Sequence, residues 1–206
     1  AEQTANYVVT SITQGNHKYL AVIEFANDMY TFNNKAGAEI FVNAEPAEFG
    51  ALLFNEIMYS PEHDEPEWIE VYNAGDEEIN LNGWRITDKT SSMLIDTNFV
   101  IASNQYAVIS DSETLSAFYT ITSPLLVLNL PSLNNSGDNL KIYNQFDTVI
   151  DSINYLSAWG GKNGKSLEKT EVTASSNDST KWGTSVSIDN ATPGNINSLA
   201  LGYVDL

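Results

Sequence analysis

The chain has 206 residues, 42% of them apolar, no cysteine, and a formal net charge of −18 from 27 acidic and 9 basic residues. The lack of cysteine excludes disulfides, thiolate metal sites and cysteine nucleophiles, and so negative a charge argues against binding to nucleic-acid phosphates. No apolar run approaches the roughly 18 residues of a membrane-spanning helix, so the apolar residues are expected to fill a core.

Short apolar segments rich in β-branched and aromatic residues follow one another along the whole chain. In the first quarter they cover residues 7–12, 19–25, 29–32 and 38–42. From Ala51 onward they cover residues 51–59, 67–73, 79–87, 98–102, 105–111, 125–130, 138–144, 149–155 and 165–172. Spacings of about 8–14 residues, with Gly, Asn and Asp between the segments, predict an all-β sandwich or barrel. Only residues 112–119 have a pattern that suits a helical turn.

A seam near Pro46 divides the chain into an N-terminal piece and a main domain. Residues 1–48 are too few to bury a good core alone. They are predicted to form a β-hairpin extension of the main domain or to be the remnant of an upstream module. Residues 49–198 make the main domain, and residues 199–206 are apolar enough for a C-terminal strand, or form a tail.

The acidic segment PEHDEPEWIE, residues 61–70, leads into the predicted strand EWIEVYN. Because alternate residues of a strand face opposite sides, two aliphatic residues are predicted to face the core, Ile69 and Val71. The other face carries Trp68, Glu70 and Tyr72. Glu70 lies between two aromatic residues there and needs a hydrogen-bond partner wherever it is desolvated. The only arginine lies in the next strand, so we predict a Glu70–Arg85 pair.

An ordered series of motifs extends through the main domain. It consists of residues 55–88 (NEIMYSPEHDEPEWIEVYNAGDEEINLNGWRITD), 99–112 (FVIASNQYAVISDS), 128–155 (LNLPSLNNSGDNLKIYNQFDTVIDSINY), 164–169 (GKSLEK), 179–186 (STKWGTSV) and 191–197 (ATPGNIN). Over about residues 49–198 the series resembles the lamin tail domain family, in its prokaryotic secreted type. The chain departs from the family pattern at Asp147-Thr148, where an Asp-Gly turn is typical, and at Lys169, where arginine is usual.

The resemblance implies an immunoglobulin-like antiparallel β-sandwich, here with an additional N-terminal β segment. It also implies a non-catalytic module of secreted or surface-attached bacterial proteins, and no fixed ligand. Trp84 is expected in the core, packed on the aliphatic face of the strand that follows the acidic segment. Gly137 is expected to supply a positive φ and Asp138 to cap backbone amides in a tight turn. The structural residues predicted in this way are Trp68, Glu70, Trp84, Arg85, Gly137, Asp138, Trp182, Pro193 and Gly194.

Motifs for catalysis are missing from the sequence. There is no G-x-S-x-G elbow, and neither His17 nor His63 lies in a recognisable triad context. The segment WGGKNGKS lacks the first glycine of a P-loop. We therefore expect no enzymatic activity and no catalytic residues.

The sequence leaves two kinds of small ligand as alternatives, calcium and a sugar. Calcium takes six to eight oxygen ligands, and the acidic loop offers four candidates, Glu62, Asp64, Glu65 and Glu67. A sugar needs exposed aromatic rings, and the glycine-rich turn carries Tyr155 and Trp159. Apart from this possible calcium, the sequence predicts no cofactor.

The sequence therefore favours a structural or interaction module of a larger secreted or cell-surface bacterial protein. Its partner would be a protein or a cell-surface component that the sequence does not identify. The alternative is a small-ligand binding module, for carbohydrate or for calcium. The expected location is extracellular or on the cell surface.

Overall fold

The computed structural model describes residues 15–22, 35–42 and 47–201. The chain divides into two compact units, Ala1–Pro46 and Ala47–Leu206. In the first unit, β1 (Gly15–Val22) and β2 (Lys35–Val42) form an antiparallel hairpin in which Gly15 is opposite Val42. The strands predicted at 7–12 and 29–32 and the turns around them lie outside the described residues, as does most of the predicted C-terminal strand.

The second unit consists of short strands with two single 3₁₀ turns between them. The strands are β3 (Leu52–Met58), β4 (Trp68–Asn73), β5 (Ile79–Asn80), β6 (Arg85–Thr87), β7 (Ser92–Leu94), β8 (Val100–Ile101), β9 (Tyr106–Ser110), β10 (Leu125–Val127), β11 (Gly137–Tyr143), β12 (Val149–Leu156), β13 (Leu167–Lys169) and β14 (Trp182–Thr184). The 3₁₀ turns are Glu113–Ala117 and Ser179–Lys181. Among the described residues, no helix is long and apolar enough to cross a membrane.

Two main sheets form the second unit. The larger has the strand order β10-β9-β4-β3-β13-β14 and the smaller the order β12-β11-β6-β7, while β5 and β8 make a separate pair. All pairs are antiparallel except β10 with β9. The predicted all-β fold, an immunoglobulin-like β-sandwich with an additional N-terminal β segment, is confirmed.

Apolar side chains of both main sheets pack together in one core. Strand β4 contributes Ile69 and Val71, and β11 contributes Leu140 and Ile142. Trp84 lies in the same core and is only 3% exposed. Because successive residues of a strand alternate between faces, the outer face of the larger sheet carries a different set of side chains.

A bulge in β3 decides which residues of that strand face the core. Phe54 is opposite Val71 and Glu56 is opposite Glu70, so Asn55 is an extra residue in β3. Such an insertion shifts the alternation by one residue. As a result Phe54 lies in the core, whereas Glu56 lies on the outer face among polar partners. A carboxylate of the smaller sheet fixes the bulge, since the Phe54 amide donates to Asp151 Oδ2 at 2.8 Å.

Two loops cover the outer face of the larger sheet. A second apolar cluster lies there and consists of Met58, Trp68, Val108, Leu115 and Ala191. Leu115 comes from the first 3₁₀ turn, and Ala191 belongs to the loop that follows β14. We call residues 185–199 the covering loop. The outer face of β4 is therefore buried at Trp68 and Glu70 by these two segments.

One outer edge of the smaller sheet is closed by a side chain. Asn177 accepts from the Asn154 amide at 2.9 Å and donates to the Ser152 carbonyl at 2.7 Å, as a neighbouring strand would. The edge of β12 is therefore occupied. The outer edges of β7 and β10 have no strand partner within the described part of the chain.

Candidate functional site

Three glutamates lie side by side on the outer face of the larger sheet. Glu56 in β3 is opposite Glu70 in β4 on one side and Glu168 in β13 on the other. All three are 0% exposed. We call them the glutamate row. Three adjacent buried carboxyl groups are costly unless each is hydrogen-bonded or protonated.

The covering loop supplies hydrogen-bond donors to Glu56 and Glu168. Thr192 donates its amide to Glu56 Oε1 at 2.8 Å, and its hydroxyl lies 3.1 Å from Glu56 Oε2 and 3.1 Å from Glu168 Oε1. Ser166, the residue before β13, donates its hydroxyl to Glu56 Oε1 at 2.6 Å. Glu168 Oε2 accepts from the Ser198 hydroxyl at 2.7 Å and from the following amide at 3.1 Å. Every oxygen of these two carboxyl groups therefore has a partner in the protein.

Glu70 is held by the bulge and by the same loop. Its Oε1 accepts from Asn55 Nδ2 at 2.7 Å, and its Oε2 accepts from the amide of Gly194. Asn55 also donates to Asn197 Oδ1 at 2.8 Å, and Asn197 donates back to the Asn55 carbonyl at 3.0 Å. The extra residue of the bulge thus ties Glu70 to the end of the covering loop.

The predicted Glu70–Arg85 pair is wrong. Arg85 pairs with Asp147 at 2.9 Å, in the turn between β11 and β12, and its guanidinium lies 3.9 Å from the centre of the Tyr143 ring. The reason is geometric: β6 belongs to the smaller sheet, next to β11, whereas β4 belongs to the larger one. Two strands that follow one another in sequence need not be neighbours in a sandwich.

Burial changes the proton affinity of the row. It raises the pKa of Glu56 well above the usual range, and the neighbouring Glu168 and Glu70 raise it further. Burial also raises the pKa of Glu70 to about 8, against the hydrogen bonds from Asn55 and Gly194, which lower it. At neutral pH these two side chains therefore tend to keep their protons.

A second buried charged group lies on the core side of β13. Lys169 is 0% exposed and donates to the Ala174 carbonyl at 2.8 Å, with its Nζ 5.5 Å from the centre of the Trp182 ring. Burial lowers the pKa of Lys169 to about 8, while Asp151 raises it. Asp151 accepts from Ser176 at 2.5 Å as well as from the bulge in β3. These groups join β12, β13 and the loop between β13 and β14.

The four predicted metal ligands do not converge. Glu65 accepts from Tyr119 Oη at 2.8 Å and from Trp68 Nε1 at 3.2 Å, and Glu67 accepts from the Leu133 amide at 2.8 Å. Glu62 and Asp64 are exposed. In the described residues, no three His, Cys, Asp or Glu side chains are grouped as a metal site requires. The loop carboxylates that are partly buried instead hold the loop to its neighbours.

An open pocket of about 280 Å³ lies beside the acidic loop. It is lined by Glu62, His63, Glu65, Phe118, Tyr119, Gly164, Asp189 and Asn190. The His63 side chain is 91% exposed, and its ring nitrogen is 3.7 Å from Glu62. Glu65 already accepts from two protein donors. The His63 ring is therefore mostly in solvent, and the two pocket residues Glu65 and Tyr119 are hydrogen-bonded to each other.

The predicted sugar platform is also not formed. Tyr155 is 0% exposed, stacks on Tyr59 with ring centres 5.0 Å apart, and donates to the Asn134 carbonyl at 3.2 Å. Trp159 is half-buried and packs against the core. Strand β12 turns Tyr155 inward, so the ring cannot stack on a ligand, and Trp159 presents at most part of its ring.

The remaining predicted structural residues lie at turns and in buried positions. Gly137 has φ 135°, and Asp138 accepts from the amides of Asn134 and Asn139. Trp182 is 6% exposed and donates to the Ser176 carbonyl at 3.0 Å. Pro193 lies in the covering loop between two residues that donate amides to the glutamate row.

The motifs along the chain meet at the glutamate row. NEI supplies Asn55 and Glu56, EWIE supplies Glu70, SLEK supplies Glu168, and TPGNIN supplies the covering loop. Residues 45–157 match the family model of the Lamin Tail Domain, which is more than half of the chain. The chain belongs to the lamin tail domain family.

The residues that match the family model include only part of the site. The match ends at residue 157, so Glu168 and the covering loop lie beyond it, although they complete the hydrogen bonds of Glu56 and Glu70. Lamin tail domains are immunoglobulin-like structural domains, in agreement with a non-catalytic module. No curated protein matches the chain.

Sequence reasoning found Glu70, Pro193 and Gly194 but missed the other members of the site. Those members are Asn55, Glu56, Ser166, Glu168, Thr192, Asn197 and Ser198. The available signal was a glutamate next to an aliphatic residue within a predicted strand, as in LLFNEIM and KSLEK, because a carboxylate is rarely buried without partners. The partners themselves come from a loop about 24–136 residues away in sequence, and no local pattern relates the two.

Proposed function

We propose that the chain is a non-catalytic structural and interaction module of a larger secreted or cell-surface bacterial protein. The observation that supports this most is the state of the glutamate row. The carboxylates that the family motifs supply are fully buried, and their oxygens accept from the protein's own donors. Groups used in this way stabilise the fold and are not available to a substrate. The motif series that resembles the prokaryotic secreted type supports the location.

The outer surface of the covering loop and the turn after it offers a place for contacts. Val186 is 63% exposed, Ile196 is 49% exposed and Leu201 is fully exposed. The Val186 amide donates to Ser198 Oγ at 2.8 Å, so both ends of the loop lie side by side. Apolar side chains grouped in this way are a feature of protein-contact surfaces. We propose this surface as the contact region.

Binding to intact cells of the source organism tests the contact region. Fluorescently labelled protein should bind saturably, and unlabelled protein should compete for the same sites. The double variant Val186→Ser/Ile196→Ser should bind less, whereas Leu94→Ser, which changes a similarly exposed residue on β7, should bind like wild type. Absence of saturable binding contradicts a surface-contact function. Loss of binding in Leu94→Ser alone would place the contact on the other sheet.

The proposed location has its own test. An antiserum raised against the chain is applied to the culture medium, the cell surface and the cytosolic fraction of the source organism. We expect the signal in the medium or on the surface. A signal confined to the cytosol contradicts the proposal.

Binding of calcium or of a carbohydrate stays a prediction from the sequence. A ligand present at 100 times its Kd raises the stability of the protein by about 2.7 kcal/mol. Thermal melting with added calcium and a glycan-array screen therefore test this alternative directly. The diverging carboxylates and the buried Tyr155 are observations against it.

A further inference from the structure

The hydroxyl of Thr192 makes one hydrogen bond more than a single proton allows. Its Oγ1 lies 3.1 Å from Glu56 Oε2 and 3.1 Å from Glu168 Oε1. A hydroxyl has one hydrogen and donates to one of these oxygens only. The second contact is a hydrogen bond only if the carboxyl group donates. The geometry therefore calls for a proton on one of the two glutamates.

The middle position of Glu56 favours its Oε2 as the site of this proton, because Glu56 has a carboxyl group on either side, whereas Glu168 lies between Glu56 and Gly183. Glu56 Oε1 already accepts from Ser166 and from the Thr192 amide, while Oε2 faces the Thr192 hydroxyl alone. A proton on Oε2 donates to Thr192 Oγ1, and the hydroxyl then donates to Glu168 Oε1. The Ser198 hydroxyl and the Leu199 amide both donate to Glu168 Oε2. In this arrangement every hydrogen has one acceptor.

Within residues 47–201, no cation is paired with the row. The titratable groups that interact electrostatically with Glu56 or Glu70 include Tyr106 on β9 and Tyr119 after the first 3₁₀ turn, and Tyr119 in turn lies near Glu65 and Asp189. Lys169 is adjacent to Glu168 in sequence but points to the core side, toward Asp151 and Trp182. None of the ion pairs found among the described residues includes a member of the row. Protons are therefore the available compensation for three adjacent carboxylates.

We propose that the proton held between Glu56 and Glu168 through Thr192 fastens the covering loop to the larger sheet, and that the loop is released when this proton is lost. Ionised Glu56 leaves one contact of Thr192 without a hydrogen and adds a negative charge beside Glu168. Release of the loop uncovers the apolar side chains of Met58 and Trp68, which pack with Ala191 of the loop. The glutamate row is then a pH-controlled latch, a property beyond that of a contact module.

Amide hydrogen exchange by NMR tests the latch in the intact chain. The reporters are the three loop amides that donate to the row, those of Thr192, Gly194 and Leu199. Their protection factors, corrected for the intrinsic effect of pH, are measured from about pH 6 to about pH 9. In the pH range where the closed loop holds the proton and the released loop does not, we expect protection to fall by about tenfold per pH unit. An amide in the centre of β11, that of Leu140, serves as the internal reference.

Two variants separate the latch from a general effect of charge. In Glu56→Gln, the side-chain NH₂ takes the place of the protonated oxygen and donates permanently to Thr192 Oγ1, so protection should fall less steeply with pH than in wild type. Glu78→Gln removes the same charge at an exposed position and should behave like wild type. Protection that does not change with pH in wild type, or that falls equally in Glu56→Gln, overturns the proposal.

A direct measurement keeps the proposal testable if Glu56→Gln does not fold. The side-chain ¹³C carboxyl shifts of wild-type protein distinguish protonated from ionised glutamate. At about pH 7 we expect at least one carboxyl of the row, that of Glu56, to show the shift of the protonated form. Shifts of ionised carboxylates for Glu56, Glu70 and Glu168 at that pH would overturn the proposal.

Discussion

At the scale of single residues, the partners of charged groups differ from those that strand alternation suggested. Arg85 makes a surface pair with Asp147, whose side chain is 80% exposed. Exposed pairs contribute little, because water screens them. Glu70, the partner predicted for Arg85, is instead bonded to Asn55 and Gly194.

The variant Arg85→Met tests this assignment. We expect the free energy of unfolding to fall by less than about 1 kcal/mol, since only a surface pair and a contact with Tyr143 are lost. Urea unfolding measures the change. A loss of about 3–5 kcal/mol, as for a broken buried ion pair, would show that Arg85 has a buried partner after all.

Alanine substitutions at two glycines with positive φ distinguish the cost of backbone strain from the cost of steric crowding. Gly137 has φ 135°, and a Cβ there would lie 2.5 Å from the Tyr155 carbonyl oxygen, whereas Gly50 has φ 88° with open space around it. Gly137→Ala should lower the free energy of unfolding by about 3 kcal/mol or more, and Gly50→Ala by about 1–2 kcal/mol. Equal losses in urea unfolding would contradict the close approach of β11 and β12.

At the scale of elements, the sequence predicted the strands better than their arrangement. Alternation in β4 correctly assigned Ile69 and Val71 to the core. Alternation alone would place Glu56 of β3 on the core side, but the bulge at Asn55 moves it to the outer face, and no residue pattern marks that bulge. The partners of the outer face come from loops, which sequence periodicity does not describe. The sequence therefore showed the motifs that contribute to the site, but not that they lie next to one another in the fold.

The Asn177 side chain takes the place of a neighbouring strand at the edge of β12. Asn177→Ala should lower the free energy of unfolding by about 1–2 kcal/mol and increase self-association, since an open edge pairs with other chains. Light scattering after gel filtration measures the association. Asn98→Ala, which removes an exposed hydrogen bond to Asn80, is the matched control. Equal behaviour of the two variants would show that the edge is closed by something else.

At the scale of the whole molecule, the net charge of −18 works against the compact state. Like charges repel more in the folded chain than in the expanded one, and salt screens this repulsion. The melting temperature should therefore rise between about 0.05 M and about 0.5 M NaCl. Calorimetry at fixed pH measures the change. A melting temperature that falls would mean that attractive pairs outweigh the repulsion.

The glutamate row also affects the stability of the whole molecule, because its carboxyl groups bind protons. A carboxyl whose pKa is raised by folding binds its proton more tightly in the folded chain. Its stabilising effect is fully present below the unfolded value of 4.5 and is lost as the pH rises through the folded value, about 8 for Glu70. Lys169, whose pKa folding lowers to about 8, acts in the opposite direction, but chiefly above that pH. The range from about pH 5 to about pH 7.5 therefore isolates the carboxyl groups.

The most direct test of the buried, protonated row is urea unfolding across that range. We predict that the free energy of unfolding of wild type and of Glu78→Gln falls as the pH rises, with a slope approaching about 1.4 kcal/mol per pH unit for each retained proton. Glu56→Gln, which needs no proton at that position, should show a smaller slope. A free energy that rises across this range in wild type, or an equal slope in Glu56→Gln, would contradict the account.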